Sequence, residues 1–201
     1  MANTIIVARH GESTFSREGL VNGDHTVSCL LTETGRAQAK RLGQSLSRTR
    51  IDVCFTSQFE RARETACLAL EGRQIPMSEH AGLNDPRAGR LESGALTKYL
   101  DWHSRAGWEE APPGGGESQS AVVHRYAQAW TDIASLDTRT VLVVCHALPT
   151  SFALAIMDER GPAVRRHYSV EVAYATPYAL EGREIRRGLE RVRRELSEFD
   201  G

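Results

Sequence analysis

Two short apolar runs, each followed almost at once by a histidine, constrain this chain more than anything else in it. The first is Thr4 to Ala8 (TIIVA), succeeded by Arg9 and His10; the second is Thr140 to Cys145 (TVLVVC), succeeded by His146. Neither run alternates apolar with polar residues, which is the pattern of strands covered on both faces, as in a parallel sheet between helical layers. Ile51 to Thr56 (IDVCFT) reads as a further strand. Helical patterns lie between them. Thr32 is placed to cap a helix with Glu33 in its first turn, and Gly35, Ala39, Leu42 and Leu46 give that helix one apolar stripe. Ser57-x-x-Glu60 predicts a capping box opening a helix to about Leu70. Pro149 suits the first turn of a helix reaching about Met157, and Tyr168 to Leu180 is rich in β-formers. A tail from Arg183 to Glu198 carries Ile185, Leu189, Val192 and Leu196 on one face, with Glu190 and Arg194 as an i,i+4 pair. Alternation of this kind predicts an α/β fold: three layers, α/β/α, around a largely parallel central sheet.

The whole chain, residues 1–201, reads as a single domain, since a chain of this length buries about 70% of its unfolded surface without a covalent or metal staple. Residues 82–120 read as a small cap-like insertion. Gly82, Asp85-Pro86, Gly89 and Gly94 punctuate them, and Pro112-Pro113-Gly114-Gly115-Gly116 closes them. Within the insertion Leu96, Tyr99, Leu100 and Trp102 suggest a helix, with Trp108 as an anchoring aromatic. The glycine run is no nucleotide loop, because no Gly-Lys-Ser/Thr follows it. Glu117 and Ser118 instead start a helix carrying Val122, Val123, Tyr126 and Trp130.

Charge narrows the function classes. Basic and acidic residues number 25 and 26, a net −1, and aromatics are 6%, so no broad basic field exists for nucleic acid or an anionic membrane. Cys29, Cys54, Cys67 and Cys145 show no Cys-x-x-Cys spacing and read as reduced thiols of a cytoplasmic protein, not as a disulfide framework or zinc site. The apolar run Ile5 to Ala8 is too short for a signal peptide or membrane span. The tail helix offers too few heptads for a coiled coil and is expected to dock on its own domain, which leaves a homodimer open.

In open α/β sheets ligands bind at the carboxyl ends of the strands, so His10 and His146 are expected to share one crevice. Arg9 adjoins the first. Arg61 falls in the first turn of the helix after Ser57, where a guanidinium joins the positive end of the helix dipole. Spacing alone leaves Arg61 open to a role as an ordinary solvated arginine, because only Lys40 and Lys98 are lysines and the other 23 basic residues are arginines. Two imidazoles and two guanidiniums converging make a site for a dianion.

These residues also carry a family resemblance. The blocks ARHGES (8–13), LTETGRAQA (31–39), TSQFERARETA (56–66), PGGGES (113–118) and VVCHA (143–147) resemble, in order and spacing, the phosphoglycerate-mutase-like branch of the histidine phosphatase superfamily. The resemblance spans roughly residues 4–150 and implies a metal-independent phosphomonoester hydrolase, without cofactor, acting on a small phosphorylated metabolite. His10 would take the phosphoryl group as phosphohistidine, with its other ring nitrogen held by backbone near Gly11. Arg9, Arg61 and His146 would grip the non-bridging oxygens, doing the charge stabilisation that other phosphatases assign to a metal. The family supplies its acid from a Leu-x-Glu segment, where this chain has Leu83-Asn84-Asp85; Asp85 is therefore the expected general acid and Glu92 the alternative. Ser16 and Asn22 stand where the family has asparagine and glutamine and are expected phosphate contacts. Ala147 replaces a glycine, and Glu12 fits the first block in either a surface or a supporting role. The leaving group is expected beneath the insertion, near Tyr99, Trp102, His103 and Trp108. Three other readings stay open: a phosphoglycerate mutase, a non-catalytic phospho-ligand binding module, and a metal site on the histidines, which the neighbouring arginines disfavour.

Overall fold

The computed structural model describes residues 3–158 and 170–199, the side chains of the last two excepted. Among the described residues five strands form one sheet: β1 (Thr4–Arg9), β2 (Val53–Thr56), β3 (Met77–Glu79), β4 (Thr140–Cys145) and β5 (Pro177–Glu181), in the order β3-β2-β4-β1-β5. All neighbours are parallel except β5, which runs antiparallel to β1 at the edge. The α-helices among the described residues are α1 (Thr14–Glu18), α2 (Glu33–Ser45), α3 (Glu60–Ala69), α4 (Leu96–Arg105), α5 (Gln119–Ala134), α6 (Ala147–Met157) and α7 (Gly182–Phe199).

The apolar runs explain the layering. Along β1 and β4 successive side chains point to opposite faces, and both sets are buried. Ile5, Val7, Val141 and Val143 pack against Val123, Tyr126, Trp130, Phe152, Ile185 and Leu189 of α5, α6 and α7. Ile6, Ala8, Leu142 and Val144 pack against Leu42, Ala62 and Ala66 of α2 and α3. The expected three layers follow directly. The tail helix lies on its own domain: Ile185, Leu189, Val192 and Leu196 are all buried in the first of these cores.

Several local expectations need correction. Ser57 does not cap α3; the cap position is Phe59, with no side-chain hydrogen bond, because Ser57 is drawn to a partner far away in sequence. The helix after β4 begins at Ala147, two residues before Pro149, and proline is tolerated there because first-turn N–H groups have no helical partner. β2 begins at Val53, since Asp52 turns its carboxylate to the backbone of Arg139 and Thr140. Of the β-rich stretch, Tyr168 and Ser169 lie outside the described residues; residues 170–176 hold an isolated bridge between Tyr174 and Arg9, and the strand itself is Pro177–Glu181.

Among residues 82–120, Ala88, Leu91, Tyr99 and Trp102 form a small cluster with Val21. Backbone bonds from Val21 N to Gly94 O (2.9 Å) and from Leu96 N to Gly19 O (2.7 Å) stitch it to the loop following α1. Trp108 packs against the main core, as an anchor should. No described helix is long and apolar enough to cross a membrane.

Candidate active site

The strand register builds the site. Arg9 pairs with Cys145, so the residues that follow, His10 and His146, leave the same end of neighbouring strands. Their ring centroids stand 5.2 Å apart, and both side chains are buried. The loop carrying His10 is clamped by α2. A Cβ on Gly11 would lie 2.4 Å from the Gly35 carbonyl oxygen, and one on Gly35 would lie 2.0 Å from that of Glu12, so this approach requires glycine on both sides. Gly11 N also donates to Thr65 Oγ1 (3.0 Å). Glu12 is part of the clamp, accepting from Thr32 Oγ1 at 2.6 Å, and does not line the cleft.

His10 places Nδ1 2.6 Å from the Gly11 carbonyl, to which it donates, and leaves the Nε2 lone pair to accept from Arg61 Nε at 3.1 Å. Burial, with the charges of Arg61 and Arg9, holds this imidazole well below its ordinary pKa, so it is neutral near pH 7. A neutral ring with one fixed tautomer presents a nucleophilic nitrogen.

Arg61 is the hub, and its side chain is 4% exposed. Besides His10 it donates to Asn22 Oδ1 and, through Nη2, to Asn22 O (3.1 Å), Asp85 Oδ2 (2.9 Å) and His146 Nδ1 (3.1 Å). The Phe59 ring lies 4.2 Å beneath its guanidinium carbon. Because His146 is likewise pushed well below its usual pKa, chiefly by burial and then by Arg61, it accepts from Arg61 at Nδ1 and donates from Nε2 to Ser57 Oγ at 2.8 Å. Arg9 lines the same cleft. Its guanidinium stacks 3.8 Å over Tyr174, and Nη1 donates to Val172 O (3.1 Å).

Asp85 sits beside both partners, with Oδ2 3.2 Å from His146 Nδ1. Its side chain keeps 24% of its surface, and burial of the carboxyl pushes its pKa up although Arg61 and Arg9 pull it down. The preceding residue is fixed: Asn84 O accepts from Arg125 Nη1 (2.9 Å) and Tyr126 OH (3.1 Å). Glu92, the alternative acid, spends its carboxylate on Gly23 N (2.8 Å) and Ala88 N (2.7 Å), and does not line the cleft. It is a brace between two loops.

The two expected phosphate contacts behave differently. Asn22 lines the cleft and clasps Arg61. Ser16 lines it too, but its hydroxyl is held in the capping box of α1 with Ser13. Of the four residues expected around the leaving group only Tyr99 lines the cleft; Trp102 packs in the insertion's own cluster, and Trp108 faces the main core. Sequence reasoning missed Ser57, Phe59, Thr65 and Tyr174. The Thr-Ser-x-Phe-x-Arg spacing contains two of them, Ser57 and Phe59, yet nothing local shows that they face His146 and Arg61.

The cleft encloses about 240 Å³. Among the described residues no three metal-binding side chains come together, and all four cysteines are free, with burial pushing Cys54 and Cys145 up to about 12. What the arrangement offers is a neutral imidazole nitrogen ringed by cations, the N-terminus of α6 beside it, and a carboxyl whose pKa burial raises.

A family model described as histidine phosphatase superfamily (branch 1) matches residues 5–193. The adenosylcobalamin/alpha-ribazole phosphatase of Salmonella typhimurium is 32% identical over 174 residues, covering 82% of this chain and 84% of the relative. A 2,3-bisphosphoglycerate-dependent phosphoglycerate mutase of Cytophaga hutchinsonii is 29% identical over 191 residues, covering 88% and 86%. The crystal structure of the alpha-ribazole phosphatase from Shigella flexneri superposes with a TM-score of 0.77 at 25% identity, covering 88% of this chain and 89% of that one.

Proposed function

Because the chain belongs to the histidine phosphatase superfamily, we propose that it is a phosphomonoester hydrolase that works on a small phosphorylated metabolite through a phosphohistidine at His10. One observation carries this assignment: His10 lines the cleft with its Nε2 unprotonated and accepting from Arg61, while its other nitrogen is locked on Gly11. The fold is read as one domain, with residues 82–120 as a cap-like insertion over the site.

The substrate's phosphoryl group enters opposite His10 Nε2. Arg61 Nη2 is shared among Asn22 O, Asp85 and His146, so an incoming oxygen that binds there takes it over from Asp85 and His146. That exchange frees the Asp85 carboxyl to turn toward the leaving oxygen. His10 Nε2 then gives up its hydrogen bond from Arg61 Nε and bonds phosphorus as the bond to the alcohol oxygen breaks, and Asp85 supplies the proton that the alkoxide needs. Arg9, Arg61, His146 and the α6 N-terminus hold the charge on the three equatorial oxygens, which is where positioning and electrostatics lower the barrier. In the second half Asp85, now a carboxylate, takes a proton from water; the water oxygen bonds phosphorus, inorganic phosphate leaves, and His10 is neutral again.

The mutase names among the relatives give the alternative fate, in which the phosphoryl group returns to another hydroxyl instead of to water. One experiment separates them. Purified protein incubated with a phosphomonoester panel including 3-phosphoglycerate should release inorganic phosphate, and His10→Ala should abolish release. Isomerisation of phosphoglycerate without phosphate release would favour the mutase, and turnover by His10→Ala within about tenfold of the parent would remove His10 as nucleophile.

A further inference from the structure

The wall of the cleft away from the phosphoryl-binding cluster is unlike its floor. All the charged groups that line the cleft among the described residues, Arg9, Arg61 and Asp85, belong to the cluster around His10. An apolar wall of the same cleft is built by Phe15, Leu20, Val21, Leu96, Tyr99 and Leu100. Two of these stand out. Among the described residues four large hydrophobic side chains are markedly exposed, and Leu96 (40%) and Leu100 (48%) are two of them, one turn apart on α4. Paired leucines left open to water beside a reactive nitrogen need a reason beyond folding, since burying each one would stabilise the chain by removing apolar surface from water. The wall is also built rather than loose: the Leu20–Ala95 bridge and the Leu96 N to Gly19 O bond fix the start of α4 against the loop that carries Leu20 and Val21.

Resting on the phosphatase reading, we infer that this wall receives the leaving group, and that the preferred substrates are monophosphate esters of compact, uncharged, apolar alcohols. The phosphoryl dianion occupies the cationic floor, and the carbon skeleton of the alcohol covers Leu96, Tyr99 and Leu100. A carboxylate or second phosphate on the alcohol would be set against leucine and phenylalanine, with no cation among the wall residues to offset its desolvation. At about 240 Å³ the cleft suits a small ester rather than a bulky conjugate.

The test is kcat/KM of the intact protein for straight-chain alkyl phosphates from ethyl to hexyl, with phenyl phosphate and 3-phosphoglycerate alongside. The alkyl esters share nearly the same leaving-group acidity, so the series reads burial alone. Each added methylene should raise kcat/KM about fourfold until the wall is covered, the factor corresponding to about 0.8 kcal/mol per buried methylene. 3-Phosphoglycerate should fall below butyl phosphate. Leu96→Ser and Leu100→Ser, both at exposed positions, should cut the gain per methylene to about twofold or less. A flat series, 3-phosphoglycerate turned over faster than butyl phosphate, or serine variants with an unchanged slope would each overturn the inference and leave the phosphatase standing. Release of phosphate from none of the esters would overturn both.

Discussion

Replacing Asp85 by asparagine tests the proton-transfer step without disturbing shape. The amide is isosteric but can neither protonate the departing oxygen nor accept a proton from water. General acid catalysis contributes about 10²–10⁴-fold, or roughly 3–5 kcal/mol of barrier, and the loss should scale with how much the leaving group needs the proton. The structure adds an opposing effect on binding. Asp85 Oδ2 lies 2.9 Å from Arg61 Nη2, with the two side chains 24% and 4% exposed, so the carboxylate competes with the substrate for the same donor. A pair at that depth attracts by up to about 4 kcal/mol before desolvation is subtracted. Asp85→Asn should therefore lower KM while lowering kcat. Measured as kcat/KM, alkyl phosphates should lose about 10²–10³-fold, while 4-nitrophenyl phosphate, whose phenolate leaves unprotonated, should lose less than about tenfold. Because water activation also fails, stopped-flow traces with 4-nitrophenyl phosphate should show a burst of one nitrophenolate per site, followed by slow turnover. Equal losses for both ester types, with no burst, would refute the assignment of Asp85.

Three further outcomes follow from the same geometry. His10 must be neutral to attack and its pKa is lowered by burial and the arginines, whereas Asp85 must be protonated to donate and its pKa is raised by burial; activity should thus fall below the depressed histidine pKa and fall again as pH rises through the elevated carboxyl pKa, and Asp85→Asn but not Glu92→Gln should erase the alkaline limb in a pH-rate profile. Ser57→Ala strands the buried Nε2–H of His146, costing about 1–3 kcal/mol of stability in a thermal melt and about tenfold in kcat, and Ser57→Thr, which keeps the hydroxyl, should restore kcat; equal kcat in both variants would contradict a positioning role. Gly35→Ala forces a methyl within 2.0 Å of the Glu12 carbonyl, so the loop bearing His10 must move; we expect a loss of about 1–3 kcal/mol by denaturant titration together with a fall in kcat, and an unaltered enzyme would show that the clamp is not needed.

What the sequence revealed, and what it withheld, divides along the range of the interactions. β1 and β4 were legible because both faces of each are buried, so their composition is nearly free of polar residues, and the histidines that end them inherit a common address from the parallel register. The apolar stripes of α2 and α7 were legible for the same reason: burial repeats at helical spacing. β3 was not, because its three residues are exposed at the sheet edge and carry no pattern at all. Ser57 shows how a local rule misleads. Its spacing from Glu60 is that of a capping box, but His146, 89 residues away, offers a buried polar partner, and Glu60 instead accepts from Ser28 Oγ and Cys29 N. Glu92 and Asp85 look equivalent as carboxylates seven residues apart in one loosely patterned stretch. Only the fold distinguishes them, sending one to two backbone amides and the other to Arg61. Tyr174 beneath Arg9 is fixed by a bridge across 165 positions of chain, a pairing that no window of sequence displays.

The central claim is tested most directly by trapping the covalent intermediate. Protein mixed with an alkyl phosphate, quenched within milliseconds into alkaline detergent and mapped by mass spectrometry, should carry a single phosphoryl group on His10, at higher occupancy in Asp85→Asn than in the parent. Absence of any phosphoprotein under conditions where phosphate is being released, or a phosphoryl group found on another residue such as Ser57 or His146, would contradict it.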